Sequence, residues 1–159
     1  MINTKTKIIN RYHKIYMISN INNYHPPFES IYSWINLTVG RKEKVELSIV
    51  FVTKEQSKTL NKKYRGNNKP TDILSFASSI PIFLQKTHKN LGELIISSEI
   101  VNKTAQLHNI KVTAHWAHII IHGLLHLLGY NHNNNKSRIP MENQEILLLK
   151  ELGFKNPYN

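Results

Sequence analysis

Five of the nine histidines in this chain fall between positions 115 and 132. His122 and His126 are four residues apart, and on an α-helix that spacing puts both imidazoles on one face, about one turn from each other. Two imidazoles so placed can bind a single metal ion, as helical zinc-site motifs do. If the helix simply continued, His132 would sit roughly 9 Å beyond His126 and off the shared face. Gly129 interrupts it, because glycine readily takes the left-handed conformation that closes a helix C-terminus. The polar run from Asn131 to Asn135 then reads as loop. The expectation is one zinc ion held by His122, His126 and His132. Three protein ligands leave a fourth position for water, the arrangement of a catalytic zinc rather than a structural one. His118, His122 and His126 cannot all be ligands from one straight helix. The outer two are about 12 Å apart along the axis, against Zn–N bonds of about 2 Å. His115 shares roughly the face of His118. Gly123 is expected to leave the helix surface bare beside the metal.

The stretch His122-Gly-Leu-Leu-His126-Leu-Leu-Gly129-Tyr130-Asn131-His132 resembles the signature of the YbeY family, the bacterial zinc-dependent endoribonucleases of rRNA maturation. The family pattern is His-Gly-x-Leu-His-Leu-x-Gly-Tyr-Asp-His, and the departure here is Asn131 in place of Asp. The resemblance continues in Leu60-Asn61-Lys62-Lys63-Tyr64-Arg65-Gly66 and in Lys69-Pro70-Thr71-Asp72-Ile73-Leu74-Ser75-Phe76. Leu91-Gly92-Glu93-Leu94 is similar to a family block with Asp where this chain has Glu93, and Met141-Glu142…Glu145 resembles the family's C-terminal helix. The resemblance implies the three histidines as metal ligands and a functional arginine at Arg65. It implies a mixed four-stranded sheet with the metal site on the helix next to it. It also implies a single-strand-specific endoribonuclease of 16S rRNA 3′-end maturation and ribosome quality control. Its partners would be an rRNA precursor and the small ribosomal subunit.

Other side chains bear on the same chemistry. An arginine at the end of a helix and ahead of a polar loop, as Arg65 is read, can grip phosphate through a planar, permanently charged fork. Its other reading is an ordinary surface arginine. Zinc peptidases of the His-Glu-x-x-His type carry their general base at the position of Gly123, and glycine supplies none. Any assisting base comes from elsewhere. Glu93 and His118 are the first candidates and Glu142 and Glu145 the weaker ones, and each also has a purely structural reading. Thr71-Asp72 can equally be a turn.

Lys and Arg number 21 against 10 Asp and Glu, a formal charge of +11 with pI near 9.9. That balance favours a polyanion partner, RNA or DNA; the resemblance implies RNA, with no DNA. There is no cysteine, which excludes disulfides and thiolate metal sites and fits a reducing cytoplasm. No apolar run approaches the roughly 20 residues of a membrane span. The basic N-terminus lacks the apolar core of a secretory signal. A cytoplasmic protein is expected.

The elements needed to position the histidines follow from periodicity. Strands are expected at Ile15–Ile18, from 44 to 53, at Ile73–Phe76 and at Leu91–Ser97. Helices are expected from Phe28 to Leu37, after Thr53 with Gln56 in capping-box position, from Ser97 or Ser98 through Leu107, from Val112 to Leu128, and from Pro140 to Leu152. Residues 1–6 are expected to fray. Ile80 to Asn90 reads as an excursion whose Lys86, His88 and Lys89 face solvent. The fold class is α+β: a single domain over 1–159, with a small mixed sheet of about four strands and the histidine helix packed on it. Two other functions compete: an RNA-binding assembly factor whose zinc is structural, and a zinc hydrolase of another substrate class.

Overall fold

The computed structural model describes residues 4–159. Five strands form one mixed sheet in the order β1-β2-β3-β5-β4: β1 (Thr4–Ile9), β2 (His13–Ser19), β3 (Val45–Val52), β4 (Ile73–Ala77) and β5 (Lys89–Ser97). The central strands β2, β3 and β5 run parallel, and each edge strand is antiparallel to its neighbour. Five helices complete the fold: α1 (Phe28–Val39), α2 (Lys54–Arg65), α3 (Ser98–Leu107), α4 (Val112–Leu127) and α5 (Asn135–Glu151).

Period-two alternation explains how the sheet meets the helices. Val45, Leu47, Ile49 and Phe51 of β3 are buried, while Glu46, Ser48 and Val50 between them are only partly so. The buried face carries α4, whose Trp116, Ala117, Ile120, Ile121, Leu124 and Leu125 are almost wholly inaccessible. A helix this apolar is a core helix, and α4 packs against α1, α3, α5, β4 and β5.

Gly123 has a different purpose from the one its sequence position suggested. A Cβ there would lie 2.6 Å from Ile73 Cδ1 and 2.9 Å from Leu94 Cδ2. The glycine therefore lets α4 approach β4 and β5 closely instead of clearing space beside a ligand. Ser75 donates a hydrogen bond from its hydroxyl to the Gly123 carbonyl at 3.4 Å, so Ser75 faces α4. Its neighbour Phe76 points to the opposite face, where it meets Tyr64 of α2 edge-on.

Local signals placed most elements within a few residues. The Thr53 hydroxyl accepts from the Gln56 N–H, and the Gln56 side chain accepts from the Thr53 N–H, completing the capping box at the start of α2. Three expectations need correction. Residues 4–6 belong to a fifth strand, held by antiparallel pairing with β2, while residues 1–3 lie outside the described part. Lys89 and Asn90 begin β5 instead of closing an excursion that ran to Asn90. Helix α5 starts at Asn135, not Pro140, because Asn134 and Ser137 form a reciprocal cap that precedes the proline. Pro140 lies inside α5 on its exposed side, where water can satisfy the carbonyl that loses its N–H partner.

Candidate metal centre and its cleft

His122 and His126 stand one turn apart on α4, and the end of that helix turns His132 back toward them. The Gly129 N–H bonds to the His126 carbonyl at 3.0 Å, and the Tyr130 N–H bonds to the Leu125 carbonyl at 3.0 Å. This paired pattern is a Schellman closure. It requires a residue with positive φ, and Gly129 has φ +102°. The ring centroid of His132 lies 5.4 Å from that of His122 and 4.8 Å from that of His126. Each of the three rings offers a nitrogen within 4.8 Å of those of the other two.

The outward nitrogens of two rings are fixed by what the inner ones do. His126 Nδ1 lies 3.2 Å from the Tyr130 carbonyl, which can only accept, so Nδ1 carries the proton. His122 Nδ1 lies 2.5 Å from Glu145 Oε1 and donates to that carboxylate. A neutral imidazole protonated at Nδ1 presents a lone pair at Nε2. The two Nε2 atoms face each other at 3.1 Å. Two lone pairs in that position repel unless a positive charge lies between them. Burial, followed by the neighbouring His122 and His132, pulls the His126 pKa below its ordinary value, which favours the neutral form that can act as a ligand.

Glu145, named from the sequence only as a weaker base candidate, has a setting the sequence did not show. It is fully buried on α5. Its Oε1 accepts from His122, and its Oε2 is hydrogen-bonded by His118 Nε2 at 3.0 Å and by the Tyr158 hydroxyl. Burial alone would raise its pKa. The hydrogen bonds from His118, His122 and Tyr158 outweigh that and hold the carboxyl at about 2. A signal of its burial was present in the sequence, since Glu145 falls in register with Met141, Leu148 and Leu149 on the buried face of α5. A carboxylate on an apolar stripe requires partners.

The histidines open into a cleft of about 530 Å³ lined also by Arg65, Asp72, Ser75, His118 and Tyr158. Arg65 ends α2 on the far side of the sheet and reaches the cleft past edge strand β4. Its Nη2 donates to the Ser75 carbonyl at 2.9 Å, and its guanidinium lies 5.1 Å from the Phe76 ring centroid. The structure therefore brings Arg65 to the same cleft as the three histidines. Glu93 is exposed and, alternating with Leu94, faces away from α4. Glu142 lines a smaller recess behind the triad. His115 is buried and outside the cleft lining. Asp72 lines the cleft, but its Oδ1 accepts from the Ile73 N–H at 2.7 Å and so also shapes the turn into β4. Tyr158 was missed altogether, because it follows Gly153 in a segment without periodicity.

Fold and cleft together define a class: an α+β protein in which one helix, its closing turn and the return loop gather three imidazoles beside an arginine. Comparison with known proteins narrows this. The family described as Endoribonuclease YbeY matches residues 7–153. The chain is 45% identical over 117 residues to the Endoribonuclease YbeY of Buchnera aphidicola, covering 74% of this chain and 75% of that one. To the Endoribonuclease YbeY of Wigglesworthia glossinidia it is 44% identical over 135 residues, covering 84% and 88%. The solution structure of a Thermotoga maritima protein shares the fold, with a TM-score of 0.58 at 22% identity over 88% of both chains. The chain belongs to the YbeY endoribonuclease family, hydrolases of RNA phosphodiester bonds.

Proposed function

We propose that His122, His126 and His132 hold one zinc ion, and that this centre cleaves single-stranded rRNA precursor during 16S rRNA 3′-end maturation. The observation that carries the reading is the pair of Nε2 atoms facing each other at 3.1 Å, each on a ring whose Nδ1 has an acceptor, with His132 beside them. An all-imidazole set suits zinc, and the chain has no thiolate to offer. A zinc ion bound there would supply Lewis acidity and fixed positive charge at the phosphodiester.

The chain's own residues do the rest. Arg65 binds the scissile phosphate and offsets the charge that develops on it. Glu145 keeps the His122 ring in the Nδ1–H tautomer. Its oxygens are buried and bonded to three partners, so it orients a ligand and does not abstract a proton. Gly123 offers no base, and His118, the base candidate that lines the cleft, has its Nε2 bonded to Glu145. Lys62, Lys63 and Lys69 stand exposed around Arg65 and attract the RNA backbone, so binding weakens steeply with salt. The small ribosomal subunit is the proposed partner, ribosome quality control the wider role, the cytoplasm the proposed setting, and the whole chain one domain. Among the described residues, no helix is long and apolar enough to cross a membrane.

The competing reading, a structural zinc, needs a fourth protein ligand. His118 is the nearest imidazole in line, but it is bonded to Glu145 and its centroid is 6.2 Å from that of His122. The deciding experiment measures metal content by an anomalous-scattering map, together with cleavage of single-stranded RNA before and after chelation. Stoichiometric zinc and cleavage restored by zinc support the reading. Undiminished cleavage by metal-free protein overturns it.

A further inference from the structure

We propose that Tyr158 is a positioning residue of the metal centre: through Glu145, the C-terminal segment holds His122 ready for the ion. The inference rests on the three-histidine reading above and extends it to a residue beyond the 7–153 span that the family match covers.

The argument begins with the carboxylate. Glu145 is fully buried, and a buried charge is retained only where its lone pairs are met by donors. Its two oxygens divide the work. Oε1 faces His122 Nδ1 at 2.5 Å, while Oε2 faces His118 Nε2 at 3.0 Å and accepts a hydrogen bond from the Tyr158 hydroxyl. Donors on Oε2 fix the rotation of the carboxylate plane and so reserve Oε1 for His122. The His122 tautomer follows, and with it the direction of the Nε2 lone pair. A group in this relation to a ligand sets its orientation and basicity, and its removal weakens metal binding by about 10–100-fold.

Tyr158 is held for this purpose. After α5 the chain turns at Gly153, where the Phe154 N–H bonds to the Leu149 carbonyl at 2.9 Å and the Phe154 side chain packs against the core. Asn156 Oδ1 accepts from the Tyr158 N–H at 2.8 Å, closing a small turn that presents the phenol to α4 and α5. The ring then meets His118 edge-on, with centroids 5.6 Å apart. Tyr158 lines both the main cleft and the recess behind it, so it forms part of the wall between them. His118 and Tyr158 thus act on the same oxygen from two sides, one from within the helix and one from the chain's end.

The test uses the full chain, zinc alone as probe, and competition with a chromophoric chelator. Tyr158→Phe removes only the hydroxyl. Its zinc affinity is expected to fall at least about tenfold while the metal-free protein keeps its far-ultraviolet spectrum and cooperative melting. In a Glu145→Gln background the same change is expected to do nothing further, because the route through the carboxylate is already cut. Wild-type affinity in Tyr158→Phe overturns the proposal, as does an equal loss in both backgrounds, which would mark a merely structural contact. If Tyr158→Phe does not fold, removal of residues 157–159 replaces it in the same cycle. Failure of the wild-type chain to bind zinc would be a failure of the three-histidine reading, and is distinguished by that control.

Discussion

On the helical side of the cleft, polar partners hold two of the three rings in place: His122 donates to Glu145, His126 to the Tyr130 carbonyl, and Glu145 has its own partners in His118 and Tyr158. On the strand side, Arg65 is exposed, gives Nη2 to the Ser75 carbonyl and lies over Phe76. One wall is tied together around a single buried carboxylate, while the other anchors a cation at one donor and leaves the remainder of its five N–H groups free of that bond. The difference fits what each wall is proposed to grip. A metal ion demands fixed distances and lone-pair directions, and tolerates little slack. A flexible RNA backbone needs charge and a fork that can follow it.

Substitutions can break this contrast, and the largest effect belongs to the locked wall. His126→Ala should lower zinc affinity by more than about 100-fold, beyond the loss expected for a supporting residue, and should abolish RNA cleavage while the fold survives. Chelator competition and a cleavage assay measure both, and cleavage persisting in the metal-stripped variant would remove the centre from the mechanism. On the adaptable wall, Arg65→Ala should reduce turnover by about 10²–10³ with metal occupancy unchanged, the scale of losing one transition-state donor. Arg65→Lys should recover part of that, since it keeps charge but not the fork. Equal turnover in wild type and Arg65→Ala would dismiss the clamp.

A smaller change acts through the backbone. Gly129→Ala places a Cβ at φ +102° and should destabilise the protein by about 1–2 kcal/mol, read from urea unfolding. It should also weaken zinc binding, because the turn sets where His132 arrives. Stability loss with unaltered affinity would show that the turn and the site are independent. The subtlest expectation concerns pH. Glu145 has a folded-state pKa of about 2 against an ordinary 4.5, so its contribution to stability is fully present above about pH 4.5 and is lost as pH falls toward 2. For metal-free protein, the stability difference between wild type and Glu145→Gln should shrink across that window. A difference independent of pH there would mean the carboxylate is not held ionised.

How far the sequence could be read depended on the range of the signal. The α4 register, the Gly129 stop, the Thr53 cap and most strands rest on residues within a turn or two of each other, and each appears in the structure. Where a competing local signal won, as when the Asn134 cap started α5 ahead of Pro140, the expected boundary moved. The edge strand β1 carried no apolar alternation to announce it, since its residues are nearly all exposed and its order comes from pairing with β2.

What the sequence determined alone is the imidazole geometry along one helix and the place where that helix must end, because helical pitch and the left-handed preference of glycine are properties of a few adjacent residues. Tertiary structure decided that Glu145 sits beneath His122, that Gly123 faces the sheet, that Arg65 passes an edge strand into the same cleft, and that the chain's end returns to Glu145. Those arrangements depend on how separate elements pack, and spacing along the chain carries no record of that.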